Sequence, residues 1–149
     1  EMQSAIGRYQ LTQLEDWINR RQMLADHIYQ VCRQYEWLRI PDIPATLKHA
    51  HYKAYVFIIP ERLPKGMTRE KLMLDLNQSG VFCMSGSCSE VYLEKAFDQC
   101  TFKPEKRLEN AKILGETSLM FQVHPTITDA DIGAIQVVLK EVFDRVGNP

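Results

Sequence analysis

The stretch Gly80-Val81-Phe82-Cys83-Met84-Ser85-Gly86-Ser87-Cys88-Ser89-Glu90-Val91-Tyr92-Leu93-Glu94-Lys95-Ala96-Phe97 reads as a helix stop, a short apolar strand, a small-residue polar turn and a new helical segment. Glycine accepts the left-handed conformation without a Cβ clash, so Gly80 is where a helix can end. Ser85, Gly86, Ser87 and Ser89 leave little side-chain bulk and many free donors. Such a turn lets a ligand or another backbone come close. The same composition also serves an ordinary tight surface turn. Helix, strand and helix follow one another within a few residues, which is the alternation of an α+β domain.

The segments on either side extend the pattern. N-terminal to it, Thr68 is placed to cap a helix over 69–79, with Leu72 and Leu76 inward. Before that, Tyr52 to Ile59 is rich in β-branched and aromatic residues and ends at Pro60, making it the strongest strand. Pro41 and Pro44 break the chain after Arg39-Ile40. Apolar residues at Ile6, Leu14, Trp17, Ile18, Leu24, Ile28, Val31 and Cys32 recur close to the helical period. They predict a helix over 2–35, far longer than the globular average. Without sustained heptads it reads as a spine joining two bodies, with further chain expected ahead of it.

C-terminal to the opening stretch, 91–97 reads as a short helix or turn. Pro104 suits the first turn of a helix over 105–114, stopped by Gly115. A third strand is predicted over 117–123. Thr128 with Asp131 three residues on resembles a capping box. The last helix carries Ile132, Ile135, Leu139, Val142, Phe143 and Val146 on one face. The expected architecture is a two-layer α+β sandwich: a long N-terminal helix, then a small three-stranded sheet, antiparallel or mixed, backed by helices. One domain spans 1–149, with 1–35 the connecting helix and 36–149 the α+β body.

Composition bounds the function. The chain has 149 residues, 45% hydrophobic and 25% charged, which is the globular norm and argues against disorder. A formal net charge of −1 gives no pull toward nucleic acid or an anionic membrane. No apolar run approaches the length that spans a bilayer, and no basic-then-apolar leader opens the chain. A cytoplasmic protein is expected.

Motifs for common chemistries are missing: there is no GxGxxG, P-loop, GxSxG or HExxH. The four cysteines form no CxxC pair. Cys32 and Cys83 fall at core positions, and Cys88 in the polar turn has no base near it in sequence. His49 and His51 could share one strand face as a metal pair needs, but no third ligand lies at a telling distance. A histidine satisfying a backbone group is the better reading. His124 before Pro125 reads as structural, with lining a cleft the lesser alternative, and Arg20-Arg21 as a solvated helix face before an anion site. Glu90 is placed to cap the helix behind the turn or to reach into a pocket, capping being favoured.

Four segments together resemble one family. Met2-Gln3-Ser4-Ala5-Ile6-Gly7, Gln10-Leu11 and Arg20-Arg21 are similar to the MxExQAAIGxxQLxxLxxxxxxRR segment of the DegT/DnrJ/StrS sugar aminotransferases. Tyr52-Lys53-Ala54-Tyr55-Val56-Phe57 is similar to the first small-domain strand of that family, and Gly80-Val81 to its GI. Leu119-Met120-Phe121-Gln122-Val123-His124-Pro125-Thr126-Ile127-Thr128 resembles its SLPLHPxLT stretch. The matches occur in order along nearly the whole chain.

The resemblance implies the C-terminal small domain of a fold-type-I aminotransferase dependent on pyridoxal phosphate (PLP). Such enzymes move an amino group, usually from glutamate, onto a nucleotide-linked keto sugar. Full-length relatives are dimers with shared active sites. The Schiff-base lysine, the acid partner and the phosphate anchors lie in the large domain, so this chain is expected to bind no PLP and to be inactive alone. Many members carry a His-Tyr-Pro-like motif after the GI. Here Met84 to Glu90 is similar instead to an SGSCSEIYLEKAF version, which replaces an imidazole by hydroxyls and backbone amides. Ser85, Gly86, Ser87, Ser89 and Glu90 are therefore the expected substrate contacts. Arg39, Arg62, Arg69 and Arg107 are the candidates for the donor carboxylate. A noncatalytic regulatory or self-association module with the same fold is the alternative.

Overall fold

The β-branched run after Tyr52 becomes the centre of the sheet. In the computed structural model, which describes residues 1–147, it forms β2, Ala54–Ile58. Ala54, Val56 and Ile58 are buried, while Tyr55 and Phe57 lie half-buried on the opposite face. β4, Ser118–Phe121, pairs antiparallel with β2, setting Ala54 opposite Phe121 and Phe57 opposite Ser118. β3, Cys83–Met84, pairs antiparallel with the far side of β4.

A fourth strand corrects the expected three. β1, Leu38–Arg39, lies antiparallel against β2, with Leu38 opposite Ile58, so the sheet order is β1-β2-β4-β3. It is too short to show a period. Trp37 and Leu38 are buried, and Trp37 accepts a further bond from the Ile59 N–H at 2.9 Å. Pro41, which has no N–H to offer, follows just beyond.

Helices cover one face. α1 is Met2–Cys32, α2 Arg69–Gln78 and α4 Asp129–Gly147; α1 and α2 both pack on α4. Leu24, Ile28, Leu72, Leu76, Leu139 and Phe143 meet Val56, Leu119 and Phe121 of the sheet in one core. Each such burial stabilises by about 1.5–3 kcal/mol. Tyr35, Trp37 and Phe143 close one end, with ring centres 5.2–5.7 Å apart.

α1 ends at Cys32, three residues short of the expected boundary, and its apolar stripe is only partly used. Burial begins at Leu24; Trp17 and Ile18 are half-covered, and Ile6 and Leu14 stay 52% and 42% exposed. The period is present, but none of the buried core residues lies in its N-terminal half.

The capping residues act as expected. Thr68 Oγ1 accepts from the Lys71 N–H at 3.3 Å. Thr128 Oγ1 accepts from the Asp131 N–H at 3.1 Å, and Asp131 Oδ2 from the Thr128 N–H at 3.0 Å, a reciprocal box. Gly80 ends α2 with φ +90, and Val81 donates back to the Leu76 carbonyl at 2.9 Å.

The third helix departs from the expectation. α3 is Glu109–Thr117: it starts beyond Pro104 and runs straight through Gly115. Tyr92 Oη accepts the Leu108 N–H at 2.8 Å and fixes the chain ahead of the first turn. Gly115 is needed not as a stop but as a gap, because a Cβ there would collide with the Ser89 side chain. Between β3 and α3 the chain makes two short 3-10 turns, Val91–Leu93 and Lys95–Phe97, where a short helix or turn is expected. No helix among the described residues is long and apolar enough to cross a membrane.

Candidate functional site

The polar turn leaves the sheet at Met84 and is tied down at three points. The Ser118 hydroxyl on β4 donates to the Ser85 carbonyl. Gly86, at φ +94, lies on the Tyr55 ring: a Cβ there would stand 2.5 Å from Cε1 and 2.9 Å from Oη. The Ser87 N–H donates to Tyr55 Oη at 3.3 Å, and Ser87 Oγ lies 3.4 Å from the same oxygen. Ser89 fills the space beside Gly115. Residues 85–90, with Leu93, Glu94, Lys95 and Gly115, line an open groove of about 570 Å³. Ser87 and Ser89 are exposed residues there.

Glu90 lines the groove but does not act as the cap that was favoured. It heads the Val91–Leu93 turn without a side-chain cap. Its carboxylate instead accepts both Arg107 Nε at 2.7 Å and Nη2 at 2.6 Å, and the Tyr92 hydroxyl at 2.8 Å. A bidentate guanidinium clamp of this kind strongly favours the charged form. Arg107, helped by Tyr92, holds the Glu90 carboxyl down at about 2 against the ordinary 4.5. Such a carboxylate is a poor proton acceptor at neutral pH. Its work is to fasten the turn to the chain before α3.

The structure thus brings Ser85, Gly86, Ser87, Ser89 and Glu90 to one groove, with the Glu90 carboxylate bound to Arg107. Sequence reasoning missed Tyr55, the support beneath the turn. The available signal was its place on the outward face of an alternating strand.

Three of the four candidate arginines spend their guanidinium on this chain. Arg62 donates to the Glu36 carbonyl at 3.3 Å, Arg69 to the Gly115 carbonyl and to Glu70, and Arg107 to Glu90. Arg39 stacks over Phe57 at 4.4 Å from the ring centre.

The histidine pair is not on a strand. His51 has φ +42, and its N–H donates to His49 Nδ1 at 3.0 Å, so His49 satisfies a backbone group. No group of three or more potential metal ligands forms among the described residues. His124 Nδ1 bonds Thr126 at the strand exit. Cys32 and Cys83 are buried, and burial pushes the Cys83 thiol up to about 12. The exposed Cys88 thiol donates to Glu94 at 3.4 Å.

The sequence model of the DegT/DnrJ/EryC1/StrS aminotransferase family matches residues 1–140. The chain belongs to this family. Among solved structures, an aminotransferase from Psychrobacter cryohalolentis is 42% identical, with a TM-score of 0.91 over 99% of this chain and 39% of its own. DesV from S. venezuelae, solved in complex with a ketimine intermediate, is 21% identical, with a TM-score of 0.77 over 94% of this chain and 35% of its own. Helicobacter pylori PseC, an aminotransferase involved in pseudoaminic acid biosynthesis, is 14% identical, with a TM-score of 0.75 over 96% of this chain and 37% of its own. The last two show the fold alone. No curated protein gives a significant match. The chain spans less than two fifths of the length of these solved structures.

Proposed function

We propose that this chain is the C-terminal, cleft-covering part of a sugar aminotransferase dependent on PLP. The observation that carries the reading is its 42% identity, over 99% of its length, with a solved aminotransferase. In this reading the serine turn faces the keto sugar. The Ser85, Ser87 and Ser89 hydroxyls and the Gly86 backbone hold sugar or phosphate oxygens, and the domain excludes water from the closed cleft. Arg39, left without a hydrogen bond among the described residues, becomes the foremost of the four arginines for the donor carboxylate.

The residues present do not themselves build a cofactor site. Every lysine among the described residues is at least partly exposed, and none stands in a buried basic pocket. We assign the cofactor lysine and phosphate anchors to the part of the relatives that this chain does not cover. PLP, when bound there, supplies the electron sink that lets the amino group move. The amino donor is glutamate, and the whole enzyme is a cytoplasmic homodimer.

The test uses the full-length gene product, glutamate and a nucleotide-linked keto sugar. Ser87→Trp is expected to raise KM for the sugar at least about tenfold, a loss of about 1.4 kcal/mol in binding. Unchanged kinetics would remove the turn from the substrate site. For the 149-residue chain alone, no cofactor absorbance band is expected; one that borohydride removes would overturn the division of labour.

A noncatalytic self-association module draws on a different observation, the bare apolar residues Met2, Ile6 and Tyr9 on α1. The reading frame upstream of Glu1 separates the two. An in-frame segment carrying a cofactor lysine supports the enzyme, and a start codon beside Met2 supports the module.

A further inference from the structure

Five polar side chains converge at the end of β2 and β4 remote from the serine turn. Arg21 of α1, Tyr52 and Lys53 just ahead of β2, and Gln122 and His124 just after β4 line a cleft of about 180 Å³, together with Val123. No carboxylate lines it. The chain as a whole balances 18 basic against 19 acidic residues. This patch is therefore a local excess, not the average surface.

None of its cations is neutralised among the described residues. Arg21 Nε is buried with no hydrogen-bond partner. Its guanidinium carbon lies 5.7 Å from the centre of the Tyr52 ring, and Lys53 Nζ lies 5.8 Å from it. Neither Arg21 nor Lys53 forms an ion pair among the described residues. The neighbouring Arg20 behaves otherwise, bonding Asp129 and the Ile127 carbonyl. At His124, Nδ1 accepts the Thr126 N–H at 3.4 Å and lies 2.8 Å from Thr126 Oγ1. Those bonds assign the ring proton to Nε2, which leaves an N–H donor free for a ligand.

We propose that this cleft binds a phosphate or diphosphate group. Two cations, the His124 Nε2–H, the Gln122 amide and the Tyr52 hydroxyl supply donors in excess of acceptors. A buried guanidinium N–H without a partner is costly, and an anionic oxygen relieves it. The cleft is smaller than the usual range for whole small-molecule pockets, so it takes a charged group and not an entire substrate. The group comes from inorganic phosphate species or from a phosphorylated metabolite. The proposal does not rest on the transferase reading.

Titration of the ¹⁵N-labelled 149-residue chain with inorganic pyrophosphate, and separately with adenosine diphosphate, tests it. Saturable amide shifts at Lys53, Gln122 and His124 are expected, weakening as salt screens the charges. Lys53→Gln and His124→Gln, two independent variants checked for native circular dichroism, are each expected to weaken binding several-fold. Lys65→Ala, on another surface, is expected to leave it unchanged. Equal affinity for the two probes identifies the diphosphate itself as the determinant, and tighter adenosine diphosphate identifies a phosphorylated metabolite. Absence of saturable shifts, or binding indifferent to both cleft variants, would overturn the proposal.

Discussion

Gly86 meets two constraints at once. Its φ of +94 is a region that residues with a Cβ rarely adopt, and the place of that Cβ is taken by the Tyr55 ring. The ring has no flexible end to swing aside, and its hydroxyl is committed to Ser87. Gly86→Ala is expected to destabilise by about 1–3 kcal/mol, read as a lower urea midpoint. Combining it with Tyr55→Ala removes the collision and leaves the backbone cost, so the double variant should lose less than the sum of the singles. Strict additivity would show that the ring and the turn are independent. Ser89 and Gly115 repeat the logic in a softer form, because a serine side chain can rotate away. The turn's small residues were legible as a place of close approach. Which partner approaches was not: Tyr55 and Gly115 lie far from it in sequence. The Glu90–Arg107 clamp escaped for the same reason, since a contact between residues seventeen apart leaves no local signature.

At the level of elements, α1 divides into a docked and a projecting half. Its 31 residues extend about 46 Å, yet its buried residues run only from Leu24 to Cys32. The first turn has no acidic residue and no side-chain cap. Arg20, held to Asp129 and the Ile127 carbonyl, marks the boundary, and beyond it the Glu15–Lys48 pair is exposed on both sides. Exposed ion pairs contribute little, and short helices without tertiary packing are marginal. Amides N-terminal to Arg20 are expected to exchange by local opening, and those of 24–32 close to the global rate. Native-state hydrogen exchange reads this directly, and uniform protection along α1 would refute it. The helix was legible because its period repeats over many turns; its use was not, because period does not reveal whether a partner is present. β1 is the converse, two residues whose identity as a strand exists only through the ladder to Ile58 and Phe57. Pro104 misled because a proline tolerated at a helix start is equally at home in the turns before one. α2 and α4 were placed well because Thr68, Thr128 and Asp131 act on backbone within three residues of themselves.

For the whole molecule, pH sensitivity is expected to centre on His51. It is 2% exposed, and its Nδ1 has no partner. It packs beside α1: the Tyr29 ring lies 6.1 Å away, and His49, which accepts its N–H, 4.3 Å. Burial first and His49 second lower its pKa from the ordinary 6.5, while Asp26 opposes them. The unfolded chain therefore takes up this proton at a higher pH than the folded one. Between the two pKa values the unfolded state holds more protons, so stability rises with pH there. The contribution is complete above the unfolded value near 6.5. It declines as pH falls below that value, until the folded pKa is passed, by at most about 1.4 kcal/mol per pH unit. Urea midpoints measured from about pH 7.5 down to about 5 should fall for the native chain, in the range where an unperturbed histidine begins to charge. His51→Gln keeps a polar side chain but cannot titrate, so its profile should be flatter even if its stability at the upper end is lower. The comparison is between slopes, so a loss of packing in the variant does not obscure it. Parallel slopes would assign the acid sensitivity to other groups and leave His51 a packed ring with no part in the pH response.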